Sequence, residues 1–185
     1  MSDPRTGTRD RLIDAYCDLV AASGARSATL DAVAARAGVS KGGLLYHFGS
    51  KDALLSGVLD RLRRLAALDT EAMRADPEGA AQYYVRTSVV AAAGGGDTMD
   101  KDVITVLRLA QEGEQRAVEA YREVSENWRE ALEEQLGDRT LSRVVQLVGD
   151  GLWMNSSMHV PVDDLDEVVE RLEAVIGARH AASGG

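Results

Sequence analysis

The segment TLDAVAARAGVSKGGLLYHF, residues 29–48, limits the possible folds of this chain more than any other part of its sequence. Thr29 is a good N-cap for the helical run LDAVAARA, and Gly38 can take the left-handed conformation that ends a helix. Ser40 then caps a second short run, KGGLLYHF. Two short helices joined by a tight turn that contains glycine indicate a helix-turn-helix motif. We expect Val39 in the turn to pack inward.

Apolar residues recur at helical spacing along the rest of the chain, and no alternating run of useful length predicts a strand. We therefore predict an all-α protein, in which Gly94-Gly95-Gly96 is a flexible connection. The predicted helices are 8–23, 30–37, 41–48, 51–73, 78–93, 98–113, 115–136, 139–158 and 163–177.

The net charge of −9 is distributed unevenly. Residues 1–64 carry ten basic and seven acidic side chains, which gives +3 and leaves −12 for residues 65–185. This asymmetry suggests two parts with different partners.

The single cysteine, Cys17, excludes an internal disulfide and fits a reducing compartment. No apolar stretch approaches the roughly 20 residues of a membrane span, and the N-terminal residues lack the apolar core of a signal peptide, so we expect a cytoplasmic protein.

The segment from RDRLIDAYCDLVAASG through GSKDALL, about residues 8–56, closely resembles the N-terminal DNA-binding domain of the TetR family of bacterial transcriptional regulators. The resemblance implies an N-terminal three-helix DNA-binding domain over residues 1–50 and a connecting helix over 51–73. It further implies a helical ligand-binding and dimerisation domain over 74–178, and we expect residues 179–185 to form a disordered tail.

In a helix-turn-helix motif the N-terminal residues of the second helix meet the base edges in the major groove. Ser40, Gly42 and Gly43 lie at that end, and the two glycines would let the backbone approach DNA closely. The family resemblance implies further DNA contacts from Thr29, Lys41, Tyr46, His47 and Lys51. The two lysines could instead be solvated surface charges, and Tyr46 could be a core residue, as we expect Phe48 to be. The chain has Gly43 where the family often has a small hydroxyl residue, and Leu45 where tyrosine is usual.

The last two predicted helices are apolar over wide faces, which favours burial on more than one side. A pair of such helices from each chain predicts a four-helix dimer interface around a two-fold axis, as the resemblance also implies. Completion of the monomer core is the alternative. The predicted interface residues are Val144, Val148, Leu152, Leu165, Val168 and Leu172.

The resemblance also implies a pocket for a largely apolar small molecule among the central helices. Large or adaptable side chains available for its lining are Tyr84, Leu107, Trp128, Trp153 and Met154, although each could equally be ordinary core. The cluster Arg61, Arg63 and Arg64 on the connecting helix could contact either acidic groups of the protein or the flanks of the DNA. We predict no cofactor and no metal, since no histidine has ligands at suitable spacing.

These patterns predict a homodimeric DNA-binding transcriptional regulator, most simply a repressor that a small molecule releases from a palindromic operator. A helical regulator without ligand response, and a helical scaffold that no longer binds DNA, are alternatives. A helical enzyme is the weakest alternative, because the sequence has no HExxH motif, no Ser/His/acid arrangement in recognisable context and no phosphate loop after a strand.

Overall fold

The computed structural model describes residues 7–90 and 98–183, and within them it contains nine helices and no strand. This confirms the predicted all-α class. The helices are α1 (Thr8–Ser23), α2 (Leu30–Ala37), α3 (Lys41–His47), α4 (Lys51–Ala75), α5 (Ala80–Val90), α6 (Thr98–Gln111), α7 (Gln115–Leu136), α8 (Arg139–Ser157) and α9 (Leu165–Ser183). No helix of the described ranges is both long enough and apolar enough to cross a bilayer.

The chain forms two compact units. The first unit comprises the described parts of 1–65 and 98–123, and the second comprises those of 66–97 and 124–185. Of the predicted DNA-binding segment, 1–50, the described residues 7–50 all belong to the first unit. The predicted domain boundaries at 50 and 73 stay predictions.

Helix α1 supplies the centre of the first unit's core. It packs against α2 and α6, and α2 packs against α3. Its buried residues recur at helical spacing and are Leu12, Ile13, Ala15, Tyr16, Cys17 and Val20. Phe48 joins this core, as expected, and Gly57 on α4 makes room for its ring. A Cβ at Gly57 would lie 2.9 Å from Phe48 Cε1, so glycine is required there by packing.

The main helix pair of the second unit is α5 against α8. Gly149 of α8 meets Tyr84 of α5, and a Cβ at Gly149 would lie 2.5 Å from Tyr84 Cε1 and 3.1 Å from Ser88 Oγ. The two helices can therefore approach closely only because residue 149 has no side chain. Gly151, two residues further along α8, is exposed, and a Cβ there would meet nothing within 4 Å.

Several helix boundaries differ from their predicted positions, and glycines bear on two of these differences. Asp76 to Gly79 form a turn in which the Gly79 N–H donates to the Asp76 carbonyl at 3.0 Å, so α5 begins at Ala80 rather than at Glu78. Gly79 has a φ of +99°, which a helix does not accommodate. At the other end of the chain, α9 continues to Ser183, because one glycine within a helix costs only about 1 kcal/mol and alanines follow Gly177. The predicted connection at Gly94-Gly95-Gly96 lies outside the described residues.

Candidate nucleic-acid interface

Backbone and hydroxyl groups fix the start of α2 and its end. Thr29 Oγ1 accepts a hydrogen bond from the Ala32 N–H at 3.2 Å, as the predicted N-cap should. Gly38 is left-handed, with a φ of +67°, and the following Val39 N–H donates to the Ala34 carbonyl at 3.0 Å. This geometry ends the helix, and only three residues separate it from the start of α3.

The N-terminal end of α3 exposes backbone and one lysine. Ser40 Oγ accepts from the Gly43 N–H at 3.0 Å, which places Lys41 and Gly42 in the exposed first turn. A Cβ at Gly42 would meet nothing closer than Ser40 Oγ at 3.9 Å, an ordinary contact distance. The protein's own packing therefore does not require glycine at position 42. A Cβ at Gly43 would be tighter, at 3.3 Å from the same oxygen.

One side of α3 anchors the helix and the other side faces solvent. Leu44 is buried, as is Phe48 directly after the helix. Tyr46 is 86% exposed and stands edge-on to the exposed His47, with ring centroids 5.2 Å apart. Tyr46 therefore does not belong to the core, and its hydroxyl is available to a partner outside the chain.

Both lysines of the predicted interface have partners within the protein. Lys41 Nζ lies 2.9 Å from Asp31 Oδ1 in a pair whose two side chains are mostly exposed. Lys51 Nζ donates to the carbonyl oxygen of Ala25, in the loop between α1 and α2. An exposed ion pair contributes little stability, so Lys41 can exchange Asp31 for a phosphate at small cost.

The loop at Ala25 is held from two directions. While Lys51 binds its carbonyl, the Ala25 N–H donates to Glu112 Oε2 at 3.1 Å, and Glu112 follows the last residue of α6. Arg108 of α6 donates to the carbonyl of Ala21 at 3.1 Å. The C-terminal end of α6 thus fixes the loop that precedes the Thr29 cap. Sequence reasoning missed Glu112 because its partner is a backbone group 87 residues away.

A buried ion cluster lies deeper in the first unit. Arg61 Nε and Nη2 donate to the two carboxylate oxygens of Asp102 at 2.8 and 2.7 Å, and Nη1 donates to Asp14 at 2.7 Å. Cys17 Sγ lies 3.5 Å from Asp102 Oδ1. Of the two contacts that the sequence left open for the arginine cluster, Arg61 therefore makes the one with acidic groups of the protein. Arg63 likewise binds Glu123 at 2.8 Å.

Burial shapes the ionisation of this cluster. Desolvation raises the pKa of Cys17 to about 12, and the neighbouring Asp102 carboxylate acts in the same direction. Burial also raises the pKa of Asp102, against the opposing effect of Arg61. The thiol is therefore neutral at physiological pH, and it serves as a small packing group rather than as a nucleophile.

The structure brings together some of the five residues that were predicted to line a small-molecule pocket, which we call the predicted effector residues. Tyr84 and Trp128 have ring centroids 6.1 Å apart, and their polar atoms bind Asp150 at 2.6 Å and Asp69 at 2.9 Å. Trp153 is half-buried in the same unit, whereas Met154 is half-exposed and Leu107 belongs to the first unit. The five residues therefore do not line one cavity of the second unit, and their contact with a ligand stays a prediction.

The predicted dimer residues divide between exposed and internal positions. Val144 is exposed and Val148 and Val168 are half-buried, whereas Leu152 is buried. Leu165 and Leu172 line a cavity against α5 of the same chain. The exposed large apolar residues of α8 are Val144, Leu147 and Met154, and the exposed Met158 directly follows the helix; together with Val148 they lie on one face. We call this set the α8 stripe.

The described residues contain no group of side chains that could hold a metal ion.

Two family models match the chain. Residues 12–58 match the model for bacterial regulatory proteins of the tetR family, and residues 78–177 match the model for the tetracyclin repressor-like C-terminal domain. The first match covers α2, the turn and α3, and the second covers just over half of the chain.

Individual proteins show the same relationship. Over 62 residues, 34% of the chain, it is 40% identical to two proteins of Pseudomonas putida, the HTH-type transcriptional regulator SrpR and the uncharacterized HTH-type transcriptional regulator TtgW. These matches span 29% of SrpR and 46% of TtgW, less than half of either relative. The fold is similar to that of the multidrug binding protein EbrR, solved in complex with malachite green, with a TM-score of 0.66 and 23% identity over 93% of this chain and 98% of that one.

The matched models and the helix-turn-helix geometry lead to one assignment. The chain belongs to the TetR family of bacterial regulatory proteins, and it is a transcriptional regulator with an N-terminal helix-turn-helix DNA-binding motif and a C-terminal helical domain.

Proposed function

We propose that this regulator is a homodimeric repressor that binds a near-palindromic operator and leaves it when a small molecule binds. The exposed, glycine-led start of α3 carries the proposal. Its backbone is open at Gly42, Lys41 stands beside it, and Tyr46 projects into solvent from the same short helix. A helix with these properties can enter the major groove, where its first residues reach base edges and its polar side chains reach phosphates.

One α3 helix offers too few contacts for a unique site, so specificity requires two of them. The α8 stripe supports a second copy of the chain as the source. It is an apolar helix face that stays exposed in the single chain, and Leu147 at its centre is 61% exposed. Such faces mark protein–protein contacts when they are continuous and rimmed by polar residues. Dimeric helix-turn-helix proteins bind half-sites about 34–36 Å apart, and we expect the operator of this protein to have that spacing.

Release by a small molecule is supported by comparison. EbrR, which resembles this chain in fold, has been solved with malachite green and with proflavin. An effector can shift the dimer away from DNA only by the difference in its affinity for the operator-binding and non-binding conformations. A regulator without ligand response is the second candidate, favoured by the hydrogen bonds that already occupy the polar atoms of Tyr84 and Trp128. Operator binding would place the protein in the cytoplasm, on the nucleoid.

Selection of duplex DNA from a random pool with the full chain tests the DNA-binding part. We expect enrichment of an inverted repeat, with binding that weakens steeply as salt concentration rises. Enrichment of single, unrepeated sites, or of nothing, would contradict the proposal.

The dimer is tested by light scattering coupled to gel filtration. Leu147→Glu places a charge at the centre of the α8 stripe and should convert dimer to monomer and abolish operator binding. Leu68→Glu is the matched control, because Leu68 is also exposed, at 56%, but lies on α4. A monomeric wild type, or a dimer that Leu147→Glu leaves intact, would refute the assignment of this interface.

A further inference from the structure

Helices α5 and α9 border a cavity of about 470 Å³. This volume falls within the range of pockets that bind drug-sized molecules, roughly 300–1,000 Å³. Every lining residue belongs to the second unit. None of the five predicted effector residues lines it, so the cavity is a separate candidate for a binding site.

The inner surface of the cavity is apolar. Val85 and Val89 contribute from α5, where they stand one helical turn apart. Leu165, Val169 and Leu172 contribute from α9, again at spacings of four and three residues. Each helix therefore turns an apolar stripe toward the cavity, and this surface suits an apolar molecule or the apolar part of a larger one.

The polar residues around this surface are strongly acidic. Glu78, Asp166, Glu170 and Glu173 line the cavity together with a single cation, Arg86, so the lining has a formal charge of −3. The guanidinium of Arg86 is already occupied, since it binds Glu78 and lies 2.6 Å from the carboxylate of Asp76. Its positive charge is thus largely compensated.

The carboxylates of α9 form an ordered row. Asp166, Glu170 and Glu173 follow one another at spacings of four and three residues, which places them on one flank of the apolar stripe. All three residues are exposed at the surface. Three like charges on one flank create a negative potential at the cavity that attracts a cation.

Gln82 adds an amide oxygen, which carries a partial negative charge, to the lining of the cavity. It lines the cavity, and its Oε1 is buried and accepts no hydrogen bond in the described structure. A buried acceptor without a donor destabilises the fold, because the oxygen has lost its hydrogen bond to water. A positively polarised group in the cavity would compensate this oxygen, whereas an anion would not.

We infer that this cavity binds an amphipathic organic cation, whose apolar body packs between α5 and α9 and whose charge lies against the α9 carboxylates. The inference deepens the proposed function, because it names the chemical class of the effector and a place for it. An apolar neutral molecule would leave the carboxylate row unused, and an apolar anion would be repelled by it.

Tetraphenylphosphonium and tetraphenylborate are suitable probes, since they have the same shape and opposite charge. Calorimetric titration of the full chain, without DNA, should show saturable binding of the phosphonium, at least about tenfold tighter than binding of the borate. Raising the salt concentration should reduce this preference. Equal binding of both probes, or binding of neither, would overturn the inference.

Variants locate the binding site. Glu170→Gln with Glu173→Gln should lower phosphonium affinity about tenfold, whereas Glu167→Gln, which changes an exposed α9 charge that does not line the cavity, should leave it within about twofold. Val169→Trp should fill the cavity and abolish binding with all charges kept. If both sets of variants bind like the wild type while circular dichroism shows them folded, the cavity is not the site.

The operator assay separates this inference from the proposed function. Phosphonium binding at the cavity without operator release would support the cation site and contradict its role as the effector site. Operator binding by a protein that ignores the phosphonium would overturn the cation site and leave DNA recognition intact. If a second copy of the chain covers the cavity, phosphonium affinity should fall as protein concentration rises, and that result would overturn the inference as well.

Discussion

The guanidinium of Arg61 holds the carboxylate of Asp102 through two hydrogen bonds of 2.8 and 2.7 Å, and both side chains are buried, at 3% and 0% exposure. The pair joins α4 to α6 within the first unit, and Asp14 of α1 adds a third contact to the same guanidinium. Three helices of the DNA-binding unit therefore meet at one cation.

Removing one partner of this ion pair should destabilise the protein more than replacing both, because a single removal leaves a buried charge uncompensated. Arg61→Met should lower the stability of the first unit by about 3–5 kcal/mol, because Asp102 is left buried without a cation. Asp102→Leu should also lower the stability, but by less, because the buried Arg61 keeps Asp14 as a partner. The double variant should cost far less than the sum, since a buried ion pair often exchanges for apolar residues at little net cost. Urea unfolding followed by circular dichroism measures all three, and strictly additive losses would contradict the coupling.

The thiol of Cys17 offers a second test, through its pKa. Burial raises this pKa to about 12, well above that of an exposed thiol, so the folded state disfavours the thiolate. The stability linked to this group is therefore fully present below the unfolded pKa of about 9 and is lost as pH rises toward 12. We expect a loss of about 2 kcal/mol between pH 8 and pH 10.5.

Labelling with a thiol reagent checks this directly. The native protein should react slowly at pH 8 and only slightly faster at pH 9.5, while the urea-unfolded chain reacts rapidly at both pH values. The variant Cys17→Ala should show a smaller alkaline loss of stability than the wild type. Rapid labelling of the native protein near pH 8 would show that the thiol is not protected.

Sequence patterns predicted the local structure of the motif well, and the reason is physical. A capping hydroxyl at Thr29 and a left-handed glycine at Gly38 act on neighbouring residues, so short sequence windows contain all the relevant information. The turn at Asp76 was wrongly read as a helix start because Pro77 favours a first helical turn, and nothing local announces the positive φ of Gly79.

Local sequence patterns could not predict which residues distant in the sequence contact one another in the fold. Arg61 and Asp102 are 41 residues apart, and nothing in either neighbourhood distinguishes this buried pair from a surface charge. The pattern of α9 identified an apolar face, yet it did not predict that Leu165 and Leu172 would face α5 in the same chain. The periodicity of a helix shows which residues are buried together but not which surface covers them.

The packing of Gly149 against Tyr84 predicts a destabilised variant. Gly149→Ala introduces a Cβ that would lie 2.5 Å from the Tyr84 ring, so α5 and α8 must separate or the ring must move. We expect a loss of about 1–3 kcal/mol, even though alanine is the better helix former. Gly177→Ala is the matched control, since a Cβ there meets nothing within 4 Å and should stabilise α9 slightly. Equal thermal midpoints for the two variants would argue against the close approach.

The ion pair between Lys41 and Asp31 predicts a variant with stronger DNA binding. Asp31→Asn frees the lysine for phosphate and removes a negative charge beside α3, so operator affinity should rise several-fold at low salt. Asp60→Asn makes the same change of charge on α4 and should have a smaller effect. Fluorescence anisotropy across a salt series measures the affinity of both variants. Weaker operator binding by Asp31→Asn would show that Asp31 does not compete with the DNA for Lys41.

The most direct test concerns Gly42, which the protein's own packing does not require to be glycine. Gly42→Ala should leave the free energy of unfolding unchanged or raise it by up to about 1 kcal/mol. It should nevertheless weaken binding to the selected operator at least about tenfold, because the added methyl group would occupy space that the groove needs. That combination, measured by urea unfolding and anisotropy on one preparation, is the predicted result. A Gly42→Ala protein that binds the operator as tightly as the wild type would contradict the docking of α3 by its N-terminal end.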